Sequence, residues 1–172
     1  MSRLNASAAA LARPLSTPPP ALRWRCLAFA ELTATELYRA LQLRAEVFVV
    51  EQTCAFQDLD GRDMQALHLM GERESEEGGA ALLAYARLLP AGTAFAEASV
   101  GRVVTAPATR GSGLGHALMR QATAELHRRW GVQPIRIGAQ AHLQAYYRQH
   151  GFEPQGALYL EDGIEHIEMV RL

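Results

Sequence analysis

Cysteine is scarce in this chain. Cys26 and Cys54 stand far apart and make neither a C-x-x-C pair nor a metal-ligand spacing. Two free thiols in a reducing cytoplasm is the reading that follows, with no disulfide framework. The six histidines are scattered too, without a His-x-x-x-His pair or a cysteine partner, so no bound metal is expected. Excess charge is missing as well. Seventeen basic and 18 acidic residues leave a net charge of -1, which argues against a general nucleic-acid binder with its concentrated basic face. No apolar run approaches the roughly 20 residues that span a bilayer, so no membrane partner is expected.

What is present is an ordinary soluble mixture. The 172 residues are 49% apolar and 20% charged, enough for one domain with a real core. Residues 1–21, MSRLNASAAALARPLSTPPPA, are low in complexity and contain no acidic residue. They have a faint transit-peptide look, but an Ala/Pro/Ser-rich disordered extension is the preferred reading. The domain is assigned to residues 22–172.

A strand is expected at about 22–29. A helix follows, opened by Thr33 and Glu36 as a capping box, with Leu37, Leu41, Ala45 and Phe48 as its buried stripe. The irregular polar stretch EQTCAFQDLDGRD leads to strands at about 66–72 and 80–89, which flank the turn ESEEGG. A strand over 99–105 stops before Pro107. A helix over about 112–130 buries Leu114, Leu118, Ala122 and Leu126 and ends at Gly131. Strand IRIGA, the short helix HLQAYYRQH and strands near 152–159 and 164–171 complete the chain. The order β-α-β-β-β-α-β-α-β-β indicates an α/β or α+β sheet with helices on both faces.

Chemistry concentrates at GRVVTAPATRGSGLG, residues 101–115. A strand, a glycine turn and a helix start together form an anion site, because free N–H groups and the helix dipole both favour phosphate. The P-loop pattern fails, since His116 and Ala117, not a lysine, follow the glycines. The dinucleotide fingerprint fails as well: counting from Gly111 or from Gly113 puts His116 or Leu118 at the third glycine. The spacing that fits is R-x-x-G-x-G, at Arg110, Gly113 and Gly115.

With GRVVT before it and AYYRQHGF about thirty residues later, this loop resembles the pyrophosphate loop of the GNAT superfamily of acyl-CoA-dependent N-acetyltransferases. LRAEVFVVEQ, FQDLDGRD, AYARLLP, AQAHLQAYY and YLEDGIEHIEMV narrow the resemblance to the ElaA-like branch. EVFVVEQ and FQDLDGRD also look partly like the acyl-homoserine-lactone synthases. The tryptophan expected downstream is absent, which argues for shared ancestry and not a shared substrate. The resemblance implies a GNAT fold: a central mixed, mostly antiparallel, twisted sheet of about seven strands.

The same resemblance implies a donor and a set of roles. Backbone N–H groups from Gly111, Ser112, Gly113, Leu114 and Gly115 would cradle the pyrophosphate of acetyl-CoA, with Arg110 adding a charge-assisted contact. Val103, Val104 and Thr105 would pair with the pantetheine arm, and an N–H of Val103 or Val104 would stabilise the oxyanion. Tyr147 would protonate the leaving thiolate. Gln140 would orient the neighbouring helix or the pantetheine. For the general base, Glu97 and His68 are the leading candidates, with His142, His166, Glu46 and Glu51 also open. Asp58, Asp60 and Asp63 would either bind a cationic acceptor or simply form turns.

The expected function is a cytoplasmic N-acetyltransferase that moves an acetyl group directly to a primary amine of a small molecule or peptide. A CoA-binding regulatory module without turnover is the alternative. No metal is expected, and the oligomeric state stays open, a homodimer being the commonest outcome for such folds.

Overall fold

A computed structural model of the chain describes residues 22–74 and 79–172. The N-terminal extension assigned to 1–21 and most of the ESEEGG turn lie outside the described residues. The elements are β1 (Arg23–Ala28), α1 (Ala34–Arg44), β2 (Leu67–Glu74), β3 (Ala80–Leu89), β4 (Ala98–Thr105), α2 (Leu114–Trp130), β5 (Ile135–Gln140), α3 (Gln144–Arg148), β6 (Glu153–Glu161) and β7 (Ile164–Arg171). They follow the order expected from the sequence.

The seven strands form one open sheet in the order β1-β2-β3-β4-β5-β7-β6. Every neighbouring pair is antiparallel except β4 and β5, which run parallel. That parallel pairing is short: only Ala98–Ile135 and Ser99–Arg136 are in register. Beyond Ser99 the two strands diverge.

Alternation sorts the side chains onto two faces. On one face Ala84, Ala86 and Leu88 of β3 and Ile135, Ile137 and Ala139 of β5 pack beneath α2. The stripe Leu114, Leu118, Ala122 and Leu126 is buried there as its four-residue spacing requires. On the other face Met70, Tyr85 and Val104 pack beneath α1.

The stripe of α1 differs from the expected one. Ala40, Leu43, Arg44 and Val47 are buried, Leu37, Leu41 and Phe48 are half-buried, and Ala45 is exposed. Two physical causes account for this. Arg44 is a fully buried cation, which an apolar periodicity cannot register. From Ala45 to Glu51 the helix also widens into a π-helical segment, which moves the inward face off the α-helical spacing. The N-terminus of α1 is closed as the sequence demands. Thr33 Oγ1 accepts from the Glu36 N–H, and the Glu36 carboxylate accepts from the Thr33 N–H at 2.8 Å.

Candidate active site

The divergence of β4 from β5 begins the site. The register shifts between Tyr85 and Arg87 of β3, so two residues of β4 oppose one there, and Arg102 takes a left-handed φ of 51°. A bulge of this kind bends its strand and re-aims the residues after it. Past it, Val104 sits opposite Tyr85, and the Ala106 N–H donates to Leu83 O at 2.8 Å. Strand alternation from Ala106 commits the Val104 N–H to β3 and turns the Thr105 N–H toward the gap, with Val103 two residues before it. β5 no longer lies opposite to receive these groups.

A cavity of about 510 Å³ occupies this gap. It passes through the sheet. Gly115, Leu143, Tyr146 and Tyr147 line it from the α2 side, and Val47, Phe48 and Gln52 from the α1 side. Val103, Val104, Thr105 and Ile137 form its neck.

The glycine loop borders the cavity. Gly111 and Gly113 have φ of 77° and 83°, the left-handed region that glycine adopts without strain. Gly113 is the N-cap of α2, so the first N–H groups of that helix stand free. Leu114 turns its side chain into the core and offers the loop only its backbone. The Ser112 hydroxyl is engaged with Thr109 O at 2.6 Å. Gly115 has another reason to be glycine. A Cβ there would lie 3.2 Å from the Tyr146 hydroxyl, which itself donates to Gly115 O at 2.7 Å. Arg110 does not stand free beside the loop; it pairs with Glu51 at 2.8 Å and links the loop to the π-helical segment.

Tyr147 lies at the α2 side of the cavity, 8% exposed, with its ring edge-on to Phe152 and to Tyr146. Its phenol forms no hydrogen bond among the described residues, and burial pushes its pKa up, so it stays protonated at neutral pH. Tyr146 also lines the cavity. Its 100° offset turns it toward Gly115 and the loop.

Of the base candidates, Glu97 and His68 are placed elsewhere. Glu97 sits before β4, where that strand is still paired with β5, and Arg136 clamps it through two bonds of 2.9 and 2.7 Å. That pairing holds its carboxyl below the usual range. His68 is fully buried between the Tyr85 hydroxyl at 2.8 Å and Asp63 O at 2.9 Å. Burial lowers its pKa, and it does not reach the cavity. Neither lines the cavity. Glu51, His142 and His166 do line the cavity. His166 faces Gln140 across the β5–β7 pairing and stacks on Tyr159. Its Nδ1 lies 2.9 Å from Ile164 O, which requires a proton on that nitrogen and leaves Nε2 as the acceptor. Gln140 lines the cavity, but its amide donates to Gln52 Oε1 at 3.0 Å and ties the end of β5 to the π-helical segment.

Asp58, Asp60 and Asp63 are all engaged by arginines. Arg44 donates to Asp58 at 2.9 Å and Asp63 at 2.8 Å. Arg87 grips both oxygens of Asp60 at 2.7 Å, and Arg102 donates to Asp58 at 2.7 Å. This alternation of three arginines and three aspartates pins residues 58–63 to α1, β3 and the bulge. It thereby fixes Cys54 and Phe56 as one wall of the cavity. The sequence contains every partner, but their separations of 14 to 44 residues carry no local signal.

A seven-stranded sheet parted at one parallel pair, with a glycine-capped helix beside the gap, defines the GNAT class of acyltransferase. The acetyltransferase (GNAT) domain model matches residues 60–172, and the chain belongs to that family. Within it the chain is ElaA-like. Protein ElaA of Escherichia coli K12 is 41% identical over 152 residues, covering 87% of this chain and 96% of ElaA. The crystal structure of ElaA superposes with a TM-score of 0.79. An acyl-CoA N-acyltransferase from Pseudomonas aeruginosa is 46% identical, covers 88% of this chain and 100% of its own, and also gives 0.79. The CoA-dependent acyl-homoserine lactone synthase BjaI, 14% identical, shares the fold at a TM-score of 0.69, over 87% of this chain and 82% of its own. The family and fold support acyl transfer from an acyl-CoA.

Proposed function

We propose that the protein transfers an acetyl group from acetyl-CoA to a primary amine by direct attack within a ternary complex. The observation that carries this reading is the unpaired edge of β4 at Val103 and Thr105, which faces a gap that Tyr147 borders from the α2 side. An extended amide chain such as pantetheine can satisfy that edge, with its diphosphate at the N–H groups of Gly111, Gly113, Leu114 and Gly115, the Ser112 N–H being engaged with Thr109 O at 3.4 Å. The thioester then lies in the neck of the cavity, and the amine enters from the α1 side.

The residues divide the work as follows. His166 Nε2 takes a proton from the acceptor ammonium, which frees the nitrogen lone pair. The amine attacks the thioester carbonyl, and the N–H of Val103 or Thr105 stabilises the oxyanion. Collapse breaks the carbon–sulfur bond, the Tyr147 hydroxyl gives its proton to the departing thiolate, and the surplus proton that the new amide nitrogen sheds restores the phenol through solvent. Three carboxylates, Glu51, Glu161 and Asp162, line the cavity and favour approach of a cationic amine.

Calorimetric titration with acetyl-CoA, followed by free-thiol release against a panel of amines, tests the proposal. Binding together with amine-dependent thiol release is the expected result. Binding without release from any acceptor supports a non-catalytic CoA-binding module instead. Absence of binding overturns both.

A further inference from the structure

Between Gly101 and Val104 the strand β4 has no regular partner on either side. Its pairing with β5 ends at Ser99, and the β3 ladder lapses from the Gly101–Arg87 pair to the Val104–Tyr85 pair. Arg102 lies in this break with a φ of 51°. Among the described residues Thr53 and Asp162 are the other non-glycine residues with such a φ, and both lie in turns. Arg102 alone has it inside a strand. A bulge whose first residue is left-handed ordinarily carries glycine there, and the glycine of this strand, Gly101, stands one place too early. Arginine keeps such a backbone only where its surroundings fix it.

The fixing comes from its own side chain. Arg102 Nε donates to Asp58 Oδ1 at 2.7 Å and Nη2 to Asp58 O at 3.1 Å, with the Asp60 carboxylate 3.6 Å away. Asp58 is itself immobile: it is buried, and the fully buried Arg44 donates to both its carboxylate and its carbonyl. Arg87 holds both oxygens of Asp60. Each of these aspartates therefore has another arginine. What Arg102 adds is a two-point tie from the network to β4.

Resting on the acyl-transfer reading above, we propose that Arg102 is a positioning residue for that reaction. Anchored on Asp58, it holds the strained turn of β4 that points the N–H groups of Val103 and Thr105 into the gap. β5 has diverged by this point, so no strand on that side can set the direction of the edge. The reference is α1 instead, through Arg44 and Asp58. Residues beyond a bulge swing with its φ and ψ, and hydrogen-bond donors tolerate little displacement before their effect on a transition state is lost. The same guanidinium lies over the Phe56 ring, 5.5 Å from its centre. One anchor thus sets both the acyl-binding edge and a wall of the cavity.

Arg102→Gly separates anchoring from backbone fit, since glycine takes this φ freely but carries no side chain. With acetyl-CoA and an amine that the native protein acetylates, kcat from thiol release is expected to fall about tenfold to a hundredfold, as a misplaced oxyanion donor costs. KM for the amine should stay within about twofold, and the urea midpoint reports whether the fold is retained. Amide exchange followed by NMR in the cofactor-free protein gives a readout independent of turnover. Val104 and Ala106, which bond to β3 beyond the bulge, should exchange about tenfold faster in the variant, and Ser99 at its native rate. Arg102→Lys keeps the charge but not the two-point grip, so it should recover only part of both losses. Unchanged kcat in Arg102→Gly overturns the proposal. Loss of turnover without faster exchange overturns it too, because the guanidinium would then act on the substrate directly, and so does full recovery with lysine. If the native protein releases thiol with no amine, the acyl-transfer reading fails. The exchange comparison then still decides the anchor: faster exchange upholds it, and native rates overturn it.

Discussion

Tyr147 is held by packing and not by polar partners. Phe152 and Tyr146 fix its ring edge-on, and burial keeps its phenol protonated. A proton donor of this kind is useful only where a strong base appears, and a newly cleaved thiolate is one. Tyr147→Phe should therefore lower kcat by about a hundredfold or more, the typical contribution of a positioned acid. CoA affinity should stay within about twofold; thiol-release kinetics beside calorimetry separate the two quantities. His166→Gln should lower kcat to a similar degree, with the effect growing for more basic amines. Unchanged turnover in either variant removes that residue from the mechanism. Glu97→Gln, in contrast, should cost some stability through Arg136 and leave kcat for the surviving fold unaltered.

At the level of the element, α1 unites a well-signalled start with an unsignalled end. The capping box at Thr33 and Glu36 is readable from four residues, because its two hydrogen bonds are local. Thr33→Ala should destabilise the protein by about 1 kcal/mol, read as a lower urea midpoint at unchanged slope. The other end of the helix could not be read in the same way. The burial of Arg44 depends on Asp58 and Asp63, which approach only after the chain has folded back. α2 lies at the opposite pole. Its stripe, its glycine start and its basic last turn are all local properties, and the structure matches each of them. Arg44→Met should separate packing from charge. It keeps much of the volume but leaves the two aspartates facing each other, so a loss of about 3 kcal/mol or more is expected.

For the whole molecule, the buried ionic groups set the response to acid. Principally the Thr33 N–H, and also Arg25, hold the Glu36 carboxyl at about 2 against an ordinary 4.5. Burial alone would raise Asp60 and Asp63, yet their arginine partners more than offset it and both are lowered. These carboxylates contribute stability that is complete above their ordinary values and is lost as pH falls toward the folded ones. His68 acts in the same direction. Burial lowers its pKa from 6.5, so below that pH the unfolded chain takes up a proton that the folded chain refuses. The urea midpoint should accordingly begin to fall below about pH 6.5, and fall faster below about 4.5. A midpoint that holds steady down to pH 4 would falsify the role given to His68.

The parts of the molecule legible in the sequence share one property. The succession of strands and helices, the glycine loop and Tyr147 are encoded within stretches of fifteen residues or so. The bulge at Arg102, the arginine–aspartate network and the location of Glu97 outside the cavity arise between stretches, where spacing has no meaning. Composition adds one fact of a different kind. All 17 of the basic residues counted with lysine are arginine. The chain thus offers no ε-amine to its own donor, and incubation with acetyl-CoA alone should add no acetyl-lysine detectable by mass spectrometry.

The short register between β4 and β5 has a mechanical consequence. Strands β1 to β4 and β5 to β7 resemble two pages joined by a spine only two residue pairs long, Ala98–Ile135 and Ser99–Arg136. Pages bound at one end can fan apart at the other, and whatever is clasped between them stiffens both. A CoA thioether should therefore slow amide hydrogen exchange at Val103, Thr105 and Ile137 far more than at Ser99, beside the spine. Uniform slowing along β4 would mean that the two halves already move as one board.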